Sequence, residues 1–260
     1  MITMKEQARR FTAILEHIQN EKSACAAGVH IPYDNLSSVW GNFLPGACYS
    51  FFGRRETNTL RLWRSNLLWQ LVKNSIPVHI LEGGRCFDTD TVELLCLQSK
   101  VDKTLLHHGM LERKDYENLQ LSIKKMALYP LSWETDDSVP PQKEHVVCVK
   151  DLSLDEWQEG AETLWTQARQ RNVVLLLFVQ MPHYVPVEFE NLYHPNKMVR
   201  PECLSSHLGL VRMEQNTGFP LEKQRLQLCL TLKETAAFRQ DFIQFDYNER
   251  THEIVPSSKI

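Results

Sequence analysis

Two apolar runs, separated by a loop and a helical segment, constrain this chain more than any other feature. Ala47-Cys48-Tyr49-Ser50-Phe51-Phe52 reads as a buried strand that Gly53 is expected to end. Residues 59–73 then place Leu60, Trp63, Leu67, Leu68 and Leu71 on one helical face, and residues 77–81 read as a second short strand. Parallel strands need a crossover, usually a helix, and a sheet built this way is covered on both faces. Further strands are predicted at residues 145–149, 173–179, 208–213 and 226–232, with a helix carrying Trp157, Ala161, Leu164, Trp165 and Ala168 before the second of these. Residues 242–255 read as a hairpin turning through Asp246-Tyr247-Asn248-Glu249-Arg250. The fold class is therefore α/β, a mostly parallel sheet with helices on both faces and a C-terminal hairpin. Residues 28–46 read as a loop, and so does Asp136-Asp137-Ser138-Val139-Pro140-Pro141, which need not mark a domain boundary. No repeat and no low-complexity tract interrupts the pattern.

An amphipathic helix is predicted ahead of this domain. Residues 4–20 put Phe11, Ile14, Leu15 and Ile18 at helical spacing, with Lys5, Glu6, Arg9, Arg10 and Glu16 elsewhere. The expected division is a linker-like helix at 1–22, one domain at 23–255 and a tail at 256–260.

Composition removes several function classes. Lys and Arg number 29 against 32 Asp and Glu, a net charge of −3, so no global basic field attracts a phosphate backbone and nucleic-acid binding would have to be local. The longest apolar stretch, residues 173–179, is far below the roughly 18 residues that span a bilayer. The first residues lack the apolar region of a secretory signal. Seven cysteines, Cys25, Cys48, Cys86, Cys96, Cys148, Cys203 and Cys229, form no Cys-x-x-Cys pair, and the expectation is reduced, mostly buried thiols in a cytoplasmic protein.

The entry segment Gly28-Val29-His30-Ile31-Pro32-Tyr33-Asp34-Asn35-Leu36, followed by Leu44-Pro45-Gly46, resembles the start of the C-terminal motor domain of DnaB-type replicative helicases, a RecA-like P-loop NTPase fold. The block Val101-Asp102-Lys103-Thr104 with Gly109-Met110-Leu111 and Asp115-Tyr116 is similar to the helical stretch after the second strand of those helicases. Pro77-Val78, Asn172-Val173 and Gln180 extend the likeness over about residues 28–250 in family order.

The resemblance also implies where catalytic groups would stand, and the residues there are wrong for the chemistry. A phosphate loop needs Gly-x-x-x-x-Gly-Lys-Ser/Thr, so that backbone amides and lysine meet the phosphates and a hydroxyl holds magnesium. The loop here is Gly53-Arg54-Arg55-Glu56-Thr57-Asn58-Thr59-Leu60: Gly53 stays, but Asn58, Thr59 and Leu60 replace the second glycine, the lysine and the magnesium ligand. The glutamate after the second strand falls at Gly84, with Glu82 two residues earlier. The Walker B aspartate falls at Lys150, with Asp151 one residue late and so expected on the opposite face of its strand. The Lys-Gln-Arg finger reads Lys233-Glu234-Thr235. Between that strand and Asn172 the chain is about a dozen residues shorter than the family pattern, where a DNA-contacting loop would lie.

Gln180 falls at the family's sensor glutamine, although a strand-end polar residue bonded to a loop is the plainer reading. Arg54 and Arg55 suit a phosphate, a partner carboxylate or simply solvent. Asp88-Thr89-Asp90 and Glu134-Thr135-Asp136-Asp137 are expected to be solvated loops rather than cation sites. His107-His108, His183 and His194 lack ligand spacing, so neither a metal nor a cofactor is expected.

The expected function is a catalytically inactive, RecA/DnaB-like, protein-binding, regulatory or scaffold subunit of a bacterial or mobile-element assembly. Its association, with a copy or a partner, would run through Phe11, Ile14, Leu15 and Ile18 and through Arg54 and Arg55. Two alternatives stand beside it: a replication accessory binding single-stranded DNA or a helicase, and a residual ATPase using a displaced lysine such as Lys73 or Lys150.

Overall fold

The computed structural model describes residues 28–81, 87–134, 146–182, 207–214, 224–234, 237–248 and 250–257. The stripe Phe11, Ile14, Leu15 and Ile18, the vestigial positions Gly84 and Thr235, and the loop at 136–141 lie outside them.

Chain order is α1 (Asp34–Trp40), β1 (Cys48–Arg54), a 3-10 turn (Arg55–Thr57), α2 (Thr59–Lys73), β2 (Val78–Leu81), α3 (Phe87–Ser99), α4 (Lys103–His108), α5 (Arg113–Met126), β3 (Leu131–Glu134), β4 (Val147–Ser153), α6 (Leu154–Gln170), β5 (Val174–Met181), β6 (His207–Glu214), β7 (Gln224–Glu234), β8 (Ala237–Tyr247) and β9 (Ile254–Pro256). The described strands make one nine-stranded sheet in the order β3-β2-β4-β5-β1-β6-β7-β8-β9. Every pairing from β3 across to β6 is parallel, and those from β6 to β9 are antiparallel. The helix expected at 59–73 has those bounds.

Alternation along the central strands explains the two layers. Val147, Val149, Val174, Leu176, Phe178, Tyr49 and Phe51 join one core with α1, α2 and α3, whereas Cys148, Leu152, Leu175, Leu177, Val179 and Phe52 join a second core under α6. A strand buried on both faces cannot show a polar–apolar alternation, hence the continuous apolar runs. Trp63 of α2, fully buried, is the hub of the first core: its ring lies 5.3 Å from Tyr33, 5.8 Å from Phe51 and 5.1 Å from Phe245. The entry segment, β1 and β8 are thereby tied to one side chain.

Several expectations change. Residues 28–46 are not one loop: Val29 bridges Phe43, and α1 lies between them, with Leu36 and Trp40 buried. Gly53 does not end β1, which runs on to Arg54 in register with β5. Strand β3 was not legible, because Leu131 to Trp133 is too short a run to stand out and Glu134 reads as the start of an acidic loop. Strand β4 begins at Val147 and continues through Lys150 and Asp151 to Ser153, since parallel pairing with β5 outweighs the poor strand propensity of those polar residues. The terminal hairpin begins earlier than expected, at Ala237.

Leu67 is fully buried in the α2-side core. Replacing it with alanine removes atoms that the close-packed surroundings cannot refill, so Leu67→Ala is expected to cost ~2–5 kcal/mol. Urea denaturation of the two proteins checks this, and an unchanged midpoint would contradict the packing.

Candidate functional site

Ligands of parallel α/β sheets sit at the carboxyl ends of the strands, so the ends of β1, β4 and β5 are the place to look. There Gly53 pairs in register with Gln180, and Gln180 with Ser153. Gln180 is exposed at this edge beside Gly53.

The loop leaving β1 closes on itself. Residues 55–57 form the 3-10 turn, Thr57 Oγ1 donates to the Arg54 carbonyl (3.1 Å), and Thr59 Oγ1 donates to the Thr57 carbonyl (3.2 Å). Asn58 takes the left-handed conformation at φ 52° and sits just before α2, a conformation that asparagine tolerates better than most residues. Thr59 and Leu60 are both buried. A Cβ on Gly53 would meet the Leu60 Cβ at 2.7 Å, so glycine is required because α2 packs directly on β1. Arg55 is exposed and Arg54 half-buried at the strand end. The side chains at 59 and 60 therefore face the protein and offer no cation toward the loop.

Behind the loop, α2 presents Arg61, Arg64 and Ser65 at i, i+3 and i+4 toward α3, which answers with Asp90 and Glu93. Arg64, 3% exposed, places Nη1 2.7 Å from Asp90 Oδ1 and Nε 2.7 Å from Asp151 Oδ2. Beside it, Glu93 Oε1 takes Arg61 Nη2 at 2.7 Å and Lys103 Nζ at 2.8 Å, while Oε2 accepts the Ser65 hydroxyl. Burial pushes the Asp90 carboxyl above its usual range despite the Arg64 guanidinium, and the charges of Asp151 and Glu93 add to that push. Burial also opposes ionisation of Glu93, but the hydrogen bonds from Lys103 and Ser65 and the charges of Arg61 and Lys103 together hold it below the carboxylate norm.

Asp90 is thus no solvated loop residue: it is 4% exposed, on a helix. Asp151 lies on the opposite face of β4 from Lys150, as its one-residue offset requires. Cys148 and Leu152 belong to the α6-side core and Val147 and Val149 to the α2-side core, so alternation turns Lys150 toward α6 and Asp151 toward α2, where Arg64 holds it. Lys233 pairs Phe238 in the β7–β8 ladder, far across the sheet order from β4. The Arg64 and Glu93 clusters were missed in the sequence, although the i, i+3 spacing of Arg61 with Arg64 and of Asp90 with Glu93 was a visible signal. No residue separates β4 from α6: Ser153 closes the strand and caps the helix, its Oγ accepting from the Glu156 amide at 3.2 Å.

Comparison with known proteins agrees on architecture. No protein-family model and no curated protein matches the chain. Among solved structures it is similar to a DnaB-like replicative helicase, in a structure describing that protein's interactions with primase, at TM-score 0.71 and 9% identity over 96% of this chain. The chain spans 66% of that helicase's length. It is also similar to a second solved structure, an isolated ATPase domain, at TM-score 0.70 and 9% identity, covering 96% of this chain and 98% of that one. The fold is that of a RecA-like α/β domain. Within that class it is the motor-domain fold of DnaB-type helicases, and identity this low carries the fold alone. Among the described residues no helix is long and apolar enough to cross a membrane.

Arg64→Met would leave two buried or half-buried carboxylates without their cation. It is expected to cost ~3–5 kcal/mol, and adding Asp90→Asn should return part of the loss by removing one of the uncompensated charges. Chemical denaturation of the single and double variants measures both effects.

Proposed function

We propose that this chain is a DnaB-type RecA-like domain without ATP turnover, working as a protein-binding, regulatory or scaffold subunit of a larger bacterial or mobile-element assembly. One observation carries the reading: the acid at the end of β4, Asp151, is held at 2.7 Å by the buried guanidinium of Arg64. A magnesium-bound triphosphate needs a lysine, a hydroxyl and a carboxylate free to order the metal. Position 59 is a buried threonine bonded to its own loop, position 60 is a leucine packed on Gly53, and Asp151 already has a cation. The residues present do not fit that group.

A surface for partners is available. Met110, Tyr116, Leu121, Ile123 and Leu128, on and around α5, are each more than half exposed. Large apolar side chains concentrated on one stretch favour contact with a protein. Phe11, Ile14, Leu15 and Ile18 form a second apolar stripe by sequence, and Arg54 and Arg55 can meet a partner's carboxylates at the sheet edge. The direct β4–α6 junction removes the space for a DNA-contacting loop there, which weighs against a single-strand-binding role.

Purified protein is expected to hydrolyse magnesium-ATP no faster than a buffer blank in a phosphate-release assay. Magnesium-dependent turnover that Thr59→Trp abolishes would overturn the reading. Deleting residues 1–20 is expected to lower the mass seen by light scattering, or to abolish a partner interaction, with the fold intact by circular dichroism. A full-length chain that is monomeric at all concentrations, together with a truncated chain that unfolds, would instead assign the stripe to its own core.

A further inference from the structure

A cavity of about 220 Å³ opens between α2, α3, α4 and the β8–β9 turn. We propose that it binds a small organic anion with a flat apolar body, whose charged group is held by Arg61 and Lys103. This does not rest on the absence of ATP turnover.

The walls set the body of the ligand. Leu62, Cys96, Leu97 and the ring of Tyr247 line the cavity and supply an apolar surface. Burial pushes the Cys96 thiol up to about 11, so it lines the wall as a neutral group. The polar groups lining the cavity are largely committed within the protein. Asn66 Nδ2 donates to the Leu62 and His252 carbonyls (2.9 and 2.8 Å) and its Oδ1 accepts from the Ile254 amide (2.9 Å). Ser65 donates to Glu93, and the Tyr247 hydroxyl meets His252 Nδ1 at 2.6 Å. These bonds fix the shape of the site and join the C-terminal turn to α2.

Charge sets the other end. Arg61 and Lys103 both approach a single oxygen, Glu93 Oε1, at 2.7 and 2.8 Å. The Glu93 carboxylate, together with Asp102 next to Lys103, balances the two cations, so what the mouth offers an anion is their unused donors. A guanidinium carries five N–H donors and an ammonium three, so one contact each to Glu93 leaves both with donors directed elsewhere among the described residues. Arg61 is 43% and Lys103 23% exposed in the side chain, so both reach the mouth rather than the floor. A carboxylate, sulfonate or phosphate monoester there would gain charge-assisted hydrogen bonds while its ring displaces water from Leu62 and Leu97. The volume suits one or two fused rings.

Naphthalene-1-sulfonate is the probe, titrated calorimetrically into the full-length protein, with 1-naphthol as the same ring lacking the anion. Saturable one-to-one binding is expected for the sulfonate, with 1-naphthol at least tenfold weaker. Lys103→Met should weaken the sulfonate about tenfold, Leu62→Trp should abolish its binding by filling the half-buried wall, and Lys114→Met on exposed α5 should leave it unchanged. Circular dichroism confirms that each variant is folded, and Arg61→Met replaces Lys103→Met if the latter does not fold. Absent or non-saturable heat, equal binding of 1-naphthol, or folded Leu62→Trp and cation variants that bind as the parent does would each overturn the proposal.

Discussion

Burying Arg64 obliges carboxylates to come to it, and much of the molecule's geometry follows. An unpaired guanidinium in that position would cost several kcal/mol. Its partners arrive from two directions, Asp90 from α3 and Asp151 from the end of β4. The pairing therefore sets α3 against α2 and ties both to the sheet. Glu93, one helical turn after Asp90, repeats the arrangement toward Arg61 and Lys103 and so adds α4. Apolar burial supplies most of the stability of these helices, but the ion pairs choose their register, because charges in a low-dielectric site tolerate little misplacement.

The loop leaving the end of β1 is closed by packing of its own residues and of α2. Leu60 lies against Gly53, and Thr59 turns its hydroxyl back onto the loop. The Leu60–Gly53 contact seats α2 on β1. The cation at Asp151 is the guanidinium of Arg64. The neighbouring cavity carries Arg61 and Lys103 at its mouth.

Much of the architecture was legible in the residues alone. A strand buried on both faces must be apolar throughout, so β1, β5 and the core of β4 announced a parallel sheet, and the one-sided apolar pattern of 59–73 announced α2 with its observed bounds. What escaped were elements held by pairing rather than by their own residues. Strand β3 exists because β2 offers it a free edge, and α1 because the Val29–Phe43 bridge closes around it. The likeness of the entry segment and of the Val101-Asp102-Lys103-Thr104 block to DnaB-type helicases proved sound at the level of fold, since TM-scores of 0.71 and 0.70 accompany 9% identity in both cases.

The sequence by itself determined which residues can stand at a phosphate loop, because no fold turns Thr59 into a cation or Leu60 into an oxygen ligand. It also determined the strand–helix alternation, because side-chain periodicity is local. Only the tertiary structure decided what Asp151 meets, since its partner Arg64 comes from α2, a separate element. It alone decided that Asp90, apparently a solvated acid, is buried, because its partner Arg64 lies 26 residues earlier in the chain. Contacts between groups so far apart leave no mark on local pattern. They follow from which buried charges must meet once the apolar faces have found each other.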